Sequence, residues 1–560
     1  MISSILEKIL VDNNIENITI AKSSRPDLCD YQSNDVFKIS KEQGRNPIEV
    51  GEELVKQINL ISNFSDYFDS VEFIKPGFIN FKVSASFINN QISIMSNSYK
   101  FNIKMPKSET YLLDYCGANV AKPLHVGHMR TTIVGESIAR IIRFLDNKTI
   151  CDVHLGDYGL QIGQVIYGIK RDNKKTEDIN IEYLDKIYPE ISGICKQDEK
   201  VRETCAEITK KLQDGNTEYT ELWKKILEVS VNDIKKICDF LGAHFDYWYG
   251  ESDAYPYLKE TEDILNQKGL LKQSEGALVV NVSEKTDKKE IPPLLFKKSN
   301  GAYLYASTDL ACLVQRKKDF NPDHILYITD LRQSLHFEQV FRVAEKMGLF
   351  KKNSLEHLGY GTVNGIDGKP FKTRDGKAPK LEDLFKEVKE LFISKKEDNK
   401  NLSDEDLYII VNAILKYGDL QNSKEKDYIF NIEKFSDTIG KTGPYILYSY
   451  LRINKIIRDN NYKKTVLSNK IYNQIERDLK LKLLDLEDYI YLAFNNRNPF
   501  YIADYLYDLC LIINNFYQNN NISNLKDIDN KNDWLYVLEL STRVIKELLN
   551  LLVIDIPSKM

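Results

Sequence analysis

One stretch limits the possible folds more than any other. At residues 111–145 a short apolar run (YLLDY, 111–115) passes through a loop holding Gly117 and Gly127. It then enters a longer segment with apolar residues at Met129, Ile133, Ile138, Ile141 and Leu145. The run is too short for a helix, and the later segment has helical periodicity, so the pair reads as a buried strand feeding an amphipathic helix. The same order of strand, glycine-containing turn and helix recurs at 149–154 with 160–169, and at 325–329 with 337–346. Buried strands alternating with helices predict a parallel α/β sheet, because a parallel connection needs a crossover long enough to hold a helix.

The rest of the 560-residue chain organises around that unit. Residues 1–105 mix helical stretches with strand-like pieces at 17–21 and 78–83 (FINFKV), the second entered through Lys75-Pro76-Gly77, and form a small α+β domain. The α/β domain takes 106–380, interrupted by a charged helical insertion at about 174–272. A helical region at 381–440 and a helical domain at 441–560 complete the chain. Composition, at 42% hydrophobic and 28% charged, is close to the globular average and excludes disordered and collagen-like classes. No run of about 20 residues is apolar enough to span a bilayer, and no basic segment followed by a long apolar block opens the chain, so a cytoplasmic, membrane-free location is expected. Eight cysteines without a CxxC pair suggest reduced thiols and neither a disulfide framework nor a bound structural metal. A net charge of −5 does not mark a nucleic-acid binder by bulk charge, though a local basic face remains open.

Chemistry concentrates at 114–140, DYCGANVAKPLHVGHMRTTIVGESIAR. His125 and His128 fall at the start of the helix, where unpaired backbone N–H groups and the helix dipole favour phosphate, and Gly127 permits close approach of a nucleotide. Two imidazoles in one turn suit oxygens whose charge grows during nucleotidyl displacement. A zinc reading fails for want of a third ligand at the spacing such sites require.

These residues resemble the HIGH region of the class I aminoacyl-tRNA synthetases, and in detail the bacterial-type arginyl-tRNA synthetases, with Ala118 standing where Pro is more usual. Further matches are LGDYG (155–159), YLYASTDL (303–310), ILYITDLRQ (325–333) with His336, DGKPFKTR (367–374) with 380–384, CDYQSN (29–34), PGFIN (76–80) and IPSKM (556–560). The resemblance implies a Rossmann-like catalytic domain, a tRNA D-loop-contacting N-terminal domain, a stem-contacting helical region and an anticodon-binding bundle. It also implies ATP with Mg2+, L-arginine and arginine tRNA as partners, and a monomer. Activation to arginyl-adenylate and transfer to the 2′-hydroxyl of the terminal adenosine follow from it, with activation gated by bound tRNA.

By the same resemblance the ATP site comprises Ala118, Asn119, Val120, Ala121, Lys122, Pro123, Leu124, His125, Val126, Gly127, His128, Gly156 and Asp157. Arginine falls to Asp114, Cys116, Asn119, Tyr305, Asp309 and Gln333. Carboxylates and a phenol suit the guanidinium fork on chemical grounds as well; without the resemblance, Asp309 would read as a helix cap and Tyr305 as a core aromatic. The tRNA contacts are Tyr31, Gln32, Asn34, Tyr445, Arg452 and Asn514, where the bland alternatives are a turn capped by Ser33 or Asn34 and ordinary core packing. The KMSKS-like loop departs from the family pattern: Thr373 stands where the second lysine belongs, so Lys122, Lys372 or Arg374 must supply the catalytic cation, with Lys369 a further candidate. Competing readings are a catalytically inactive tRNA-binding paralogue, a tRNA-free nucleotidyltransferase, which leaves both terminal domains without a task, and a sister synthetase with another pocket.

Overall fold

The computed structural model describes residues 2–103, 107–122, 124–371 and 380–560. They fall into two compact units.

The unit of Met105–Pro444, Asn496–Phe500 and Leu549–Met560 carries a four-stranded parallel sheet in the order Leu355–His357, His324–Tyr327, Thr110–Asp114, Lys148–Asp152. The expected strands are there within two residues, and their apolar runs are buried on both faces, as a parallel sheet covered by helices requires. Helix Val126–Phe144 crosses over between the central and edge strands, and Leu160–Arg171 follows the edge strand. Arg130 of the crossover helix is 0% exposed; its guanidinium donates to the carbonyls of Gly361 at 2.7 Å and Lys424 at 3.1 Å. That pins the helix to the small parallel pair Val363–Asn364 with Tyr428–Ile429.

The insertion is helical at Ile181–Gln197, Glu199–Gln213 and Thr217–Phe240, then becomes an antiparallel three-stranded sheet, Leu271–Ser274, Ala277–Val280 and Leu294–Lys297, which sequence periodicity did not reveal. Val280, Leu294 and Phe296 bury against Leu310, Leu313 and Phe337, so this sheet shares the core of helix Tyr305–Asp319.

The unit of Met1–Lys104, Tyr445–Asn495 and Tyr501–Leu548 holds an antiparallel sheet in the order Ala21–Lys22, Tyr31–Ser33, Phe78–Val83, Phe68–Ile74, with helices around it. The expected strand at 17–21 does not form; Asn17 has φ 62° and only Ala21–Lys22 pair. Nor do Ser33 or Asn34 cap a helix: Tyr31–Ser33 is a strand, and helix Val36–Gln43 starts after Asp35. Arg477 of helix Gln474–Leu484 donates to Asp30 at 2.5 Å, and Lys480 donates to Asn89 at 2.7 Å. Among the described residues no helix is long and apolar enough to cross a membrane.

Candidate active site

Successive parallel connections leave the Thr110–Asp114 strand to one side and reach His324–Tyr327 on the other, so the carboxyl ends of these two strands form the switch point at which parallel sheets set their ligand crevice. The loop after Asp114 lines it. Gly156 N–H donates to Ala118 O at 3.0 Å, Val120 N–H to Gly156 O at 3.1 Å, and Ala121 N–H to Ser230 Oγ at 3.0 Å. Ala118, Val120, Ala121, Leu124 and Val126 are buried, and with these backbone donors satisfied they form the floor of the loop. Asn119 is half-buried above them. A Cβ on Gly156 would stand 2.5 Å from Asn119 Oδ1, so this glycine leaves room for the amide.

His125 caps the helix. Its Nδ1 accepts from Gly127 N–H at 3.1 Å, and His125 N–H donates to His128 Nδ1 at 3.2 Å. Burial, with the neighbouring Lys122 charge, lowers the His125 pKa; burial, then the charges of His125 and Lys122, pushes His128 down to about 3. Both rings are therefore neutral near pH 7. A neutral imidazole that accepts at Nδ1 carries its proton on Nε2, so each ring is left as an Nε2–H donor. Gly127 is glycine for a local reason too: a Cβ there would meet His125 Cε1 at 3.0 Å. Lys122 is half-buried, its Nζ 4.8 Å from the centroid of the Tyr188 ring.

The arginine candidates sort into two groups. Asp309 lies in the second turn of its helix rather than at the cap, and its Oδ2 accepts from His336 Nε2 at 2.5 Å, which raises the His336 pKa. Tyr305 is 72% exposed, so it is no core aromatic, and Gln333 is exposed in a single helical turn before Ser334. Glu251, which sequence reasoning missed, lies within electrostatic range of Asp309 and Tyr305: burial pushes its carboxyl up to about 7 against the charge of His154, while Asp157 and Asp309 add to that rise, and Glu251 in turn raises Tyr305. No motif announced it, since YGESDA carries no periodic or spacing signal. Asp114, by contrast, is buried and its Oδ2 accepts from Arg316 at 2.6 Å, while the same guanidinium donates to Asp152 at 2.7 Å. An internal arginine thus occupies the acceptor that was expected to serve the ligand.

Three further expected contacts have side chains engaged within the protein. Cys116 is 0% exposed with φ 77°, its thiol against Cys238 and Thr132. The Asp157 carboxylate accepts from Ser252 N–H at 3.0 Å and Oγ–H at 2.6 Å, fixing the start of the next helix. Tyr31 is 4% exposed inside its sheet. Pro123, Lys372 and Arg374 lie outside the described residues.

In the other unit, Gln32 donates to Asn80 at 2.8 Å and Asn34 is exposed. Asn514 donates to Tyr445 Oη at 2.8 Å, and Arg452 lies 5.5 and 4.7 Å from the ring centroids of Tyr448 and Tyr517. A guanidinium grouped with aromatic rings is chemistry suited to an unstacked base. Among the described residues no three His, Cys, Asp or Glu side chains gather as a metal site.

Comparison with known proteins follows the same lines. The family model of the class I (R) tRNA synthetase catalytic domain matches residues 91–432, that of the DALR anticodon binding domain 446–560, and that of the arginyl tRNA synthetase N terminal domain 1–83. Arginine–tRNA ligase of Alkaliphilus oremlandii is 39% identical over 564 residues, covering 97% of this chain and 95% of the relative. That of Agathobacter rectalis is 38% identical over 574 residues, covering 97% and 96%. The crystal structure of arginyl-tRNA synthetase from Plasmodium falciparum superposes with a TM-score of 0.83 at 27% identity, covering 100% of this chain and 99% of that one.

Proposed function

The chain belongs to the arginyl-tRNA synthetases, and from that premise we propose how its residues divide the work. The reaction is that of an arginine–tRNA ligase: L-arginine and ATP give arginyl-adenylate and pyrophosphate, and arginine then passes to the 2′-hydroxyl of the terminal adenosine of arginine tRNA. No finding points to an inactive paralogue. The arginine carboxylate is the nucleophile at the α-phosphorus, so the protein supplies positioning and charge stabilisation rather than a nucleophile of its own.

In our reading the Nε2–H groups of His125 and His128 donate to phosphate oxygens as charge accumulates on the leaving pyrophosphate. Neutral rings donate without adding a buried cation, and Lys122 brings the positive charge. Magnesium enters with ATP as part of the substrate, bridging and neutralising phosphate oxygens. Asp309, Tyr305 and Glu251 take the guanidinium, which displaces His336 from Asp309. Asn119 and Gln333 hold the backbone end of the amino acid, and Asp114 acts through Arg316 to support the crevice wall. The 381–440 region meets the tRNA stem, Gln32 and Asn34 the D-loop, and Tyr445, Arg452 and Asn514 the anticodon. In our reading the chain acts as a monomer in the cytoplasm.

The observation that supports this reading most is the pair of neutral imidazoles, each left with an Nε2–H donor, at the start of the helix that follows the central strand. The test is arginine-dependent ATP–pyrophosphate exchange with and without arginine tRNA, with lysine and canavanine run alongside. Exchange with arginine in the presence of tRNA, and none with lysine, is expected. Equal exchange with lysine would overturn the assigned pocket.

A further inference from the structure

Helix Ile181–Gln197 of the insertion lies over the ATP side of the crevice, and two of its residues, three apart and so on one face, engage groups there. Asp185 accepts an ion pair from Lys380, and Lys380 in turn makes an antiparallel bridge with His125. One turn on, the Tyr188 ring lies under the Lys122 ammonium at 4.8 Å. The same Tyr188 is close enough to Tyr305 to raise its pKa, while Lys122 is close enough to His125 and His128 to lower theirs. Tyr188 therefore contacts the phosphate-side cation and lies within electrostatic range of the arginine-side phenol.

We propose that Tyr188 is a positioning residue for adenylate formation: its ring face holds Lys122 beside the two histidines, where the cation meets the departing pyrophosphate. The inference rests on the Lys122 role given above and deepens it. A flexible lysine stem left alone would spread its charge over many rotamers, and a π face restricts the ammonium to one side at little desolvation cost. Pairing with a carboxylate would fix the lysine as well, but would cancel the charge that the phosphate needs.

The test measures tRNA-dependent ATP–pyrophosphate exchange on the full chain with Tyr188→Leu, Tyr188→Phe, Lys122→Ala and the Lys122→Ala/Tyr188→Leu pair. Leucine keeps apolar bulk and removes the π face; phenylalanine keeps both. Tyr188→Leu is expected to lower kcat about fivefold to thirtyfold, the range a desolvated cation–π contact commands, with the KM for arginine within about twofold. Tyr188→Phe retains most of the rate, and adding Tyr188→Leu to Lys122→Ala costs nothing further. An additive loss in the double variant, or a phenylalanine variant as slow as leucine, would overturn the proposal. So would an increased tRNA-independent rate in Tyr188→Leu, which would make the ring a restraint on Lys122 instead. If Lys122→Ala is impaired and Tyr188→Leu is not, the Tyr188 inference falls alone; if Lys122→Ala is itself unimpaired, the lysine role falls and takes the inference with it. Should Tyr188→Leu fail to fold, the phenylalanine variant in both Lys122 backgrounds decides, because a hydroxyl-dependent, Lys122-independent loss contradicts a π-face role.

Discussion

Arg316→Met probes a fully buried, doubly paired charge in the catalytic unit. The guanidinium is 0% exposed and donates to Asp114 at 2.6 Å and Asp152 at 2.7 Å, and these two carboxylates are register partners on adjacent parallel strands. Neighbouring strands lie about 4.8 Å apart, so without the guanidinium two like charges about 5 Å apart repel by about 3 kcal/mol at an effective dielectric of ~20. Removing one partner from a buried ionic group costs about 3–5 kcal/mol, the same scale. Methionine fills most of the vacated volume, so the loss is electrostatic rather than a cavity. The carboxyls can escape by taking up a proton: burial already holds Asp114 above the usual carboxylate range with Arg316 present, and its loss drives the shift further. A folded-state pKa above the unfolded one keeps stability at low pH and forfeits it as pH rises through the folded value. The urea midpoint of the variant should thus fall short of the parent by more at pH 8 than at pH 5, and adding Asp152→Asn should recover most of the deficit at pH 8. A deficit under about 1 kcal/mol at pH 8, or an equal one at both pH values, would refute the reasoning.

Asp309→Ala should reduce kcat/KM for arginine by about 10- to 150-fold, since a charged hydrogen bond contributes about 1.5–3 kcal/mol and the guanidinium is left short of an acceptor; ATP affinity by equilibrium dialysis should stay within about twofold. Arginine binding should release protons near pH 7: the incoming cation lowers the pKa of Glu251, which burial holds up to about 7, and displaces His336 from the carboxylate that raises its own. By linkage the affinity for arginine rises with pH through that window, and calorimetry in buffers of different ionisation enthalpy reads the proton count; uptake instead of release would contradict the pocket. Gly156→Ala brings a Cβ to 2.5 Å from Asn119 Oδ1, and should depress kcat/KM for arginine about tenfold or more with unchanged tRNA binding, as a displacement of about 1 Å at a positioning group does.

The parallel sheet was legible because burial on both faces leaves near-continuous apolar runs such as YLLDY, and because each run feeds a helix with clear periodicity. The antiparallel sheet at Leu271–Lys297 escaped detection: Leu271–Ser274 and Leu294–Lys297 are four residues each, too short to establish a period of two, and their apolar positions matter only against Leu310 and Phe337, distant in sequence. Strand Tyr31–Ser33 failed for a similar reason, since three residues of alternating burial look like a polar turn. Its pairing also ties the N-terminal segment to later helices: deleting residues 1–100 would strip Arg477, 6% exposed, of Asp30, so such a truncation would not report on tRNA contacts alone.

Within the candidate site, contiguous motifs pointed to one neighbourhood without showing which way individual side chains turn. A motif places residues along the chain, whereas the direction of each side chain depends on local backbone period and on partners far away. Strand alternation buries Tyr31 and Ser33 and leaves Gln32 between them half-exposed, so no three successive residues there could all face one ligand. Asp157 follows Gly156 directly, yet the carboxylate turns to Ser252, 95 residues on, while Gly156 stays beside Asn119. Cys116 follows Asp114 by two residues, but a left-handed φ at 116 redirects the chain and sends the thiol into the helix carrying Cys238. The residues that sequence reasoning missed carry no motif signal of their own: Glu251 and Tyr188 come from segments with no motif, and Arg316 lies beyond YLYASTDL on the same helix, and all three are brought in by the crossover topology. Where a parallel sheet sets its crevice at strand ends, any connecting segment that passes over that end can contribute a side chain, and the insertion between the second and third strands is the longest such segment here. That is the physical reason to look for further determinants of adenylate formation on helix Ile181–Gln197 before the motif-bearing loops.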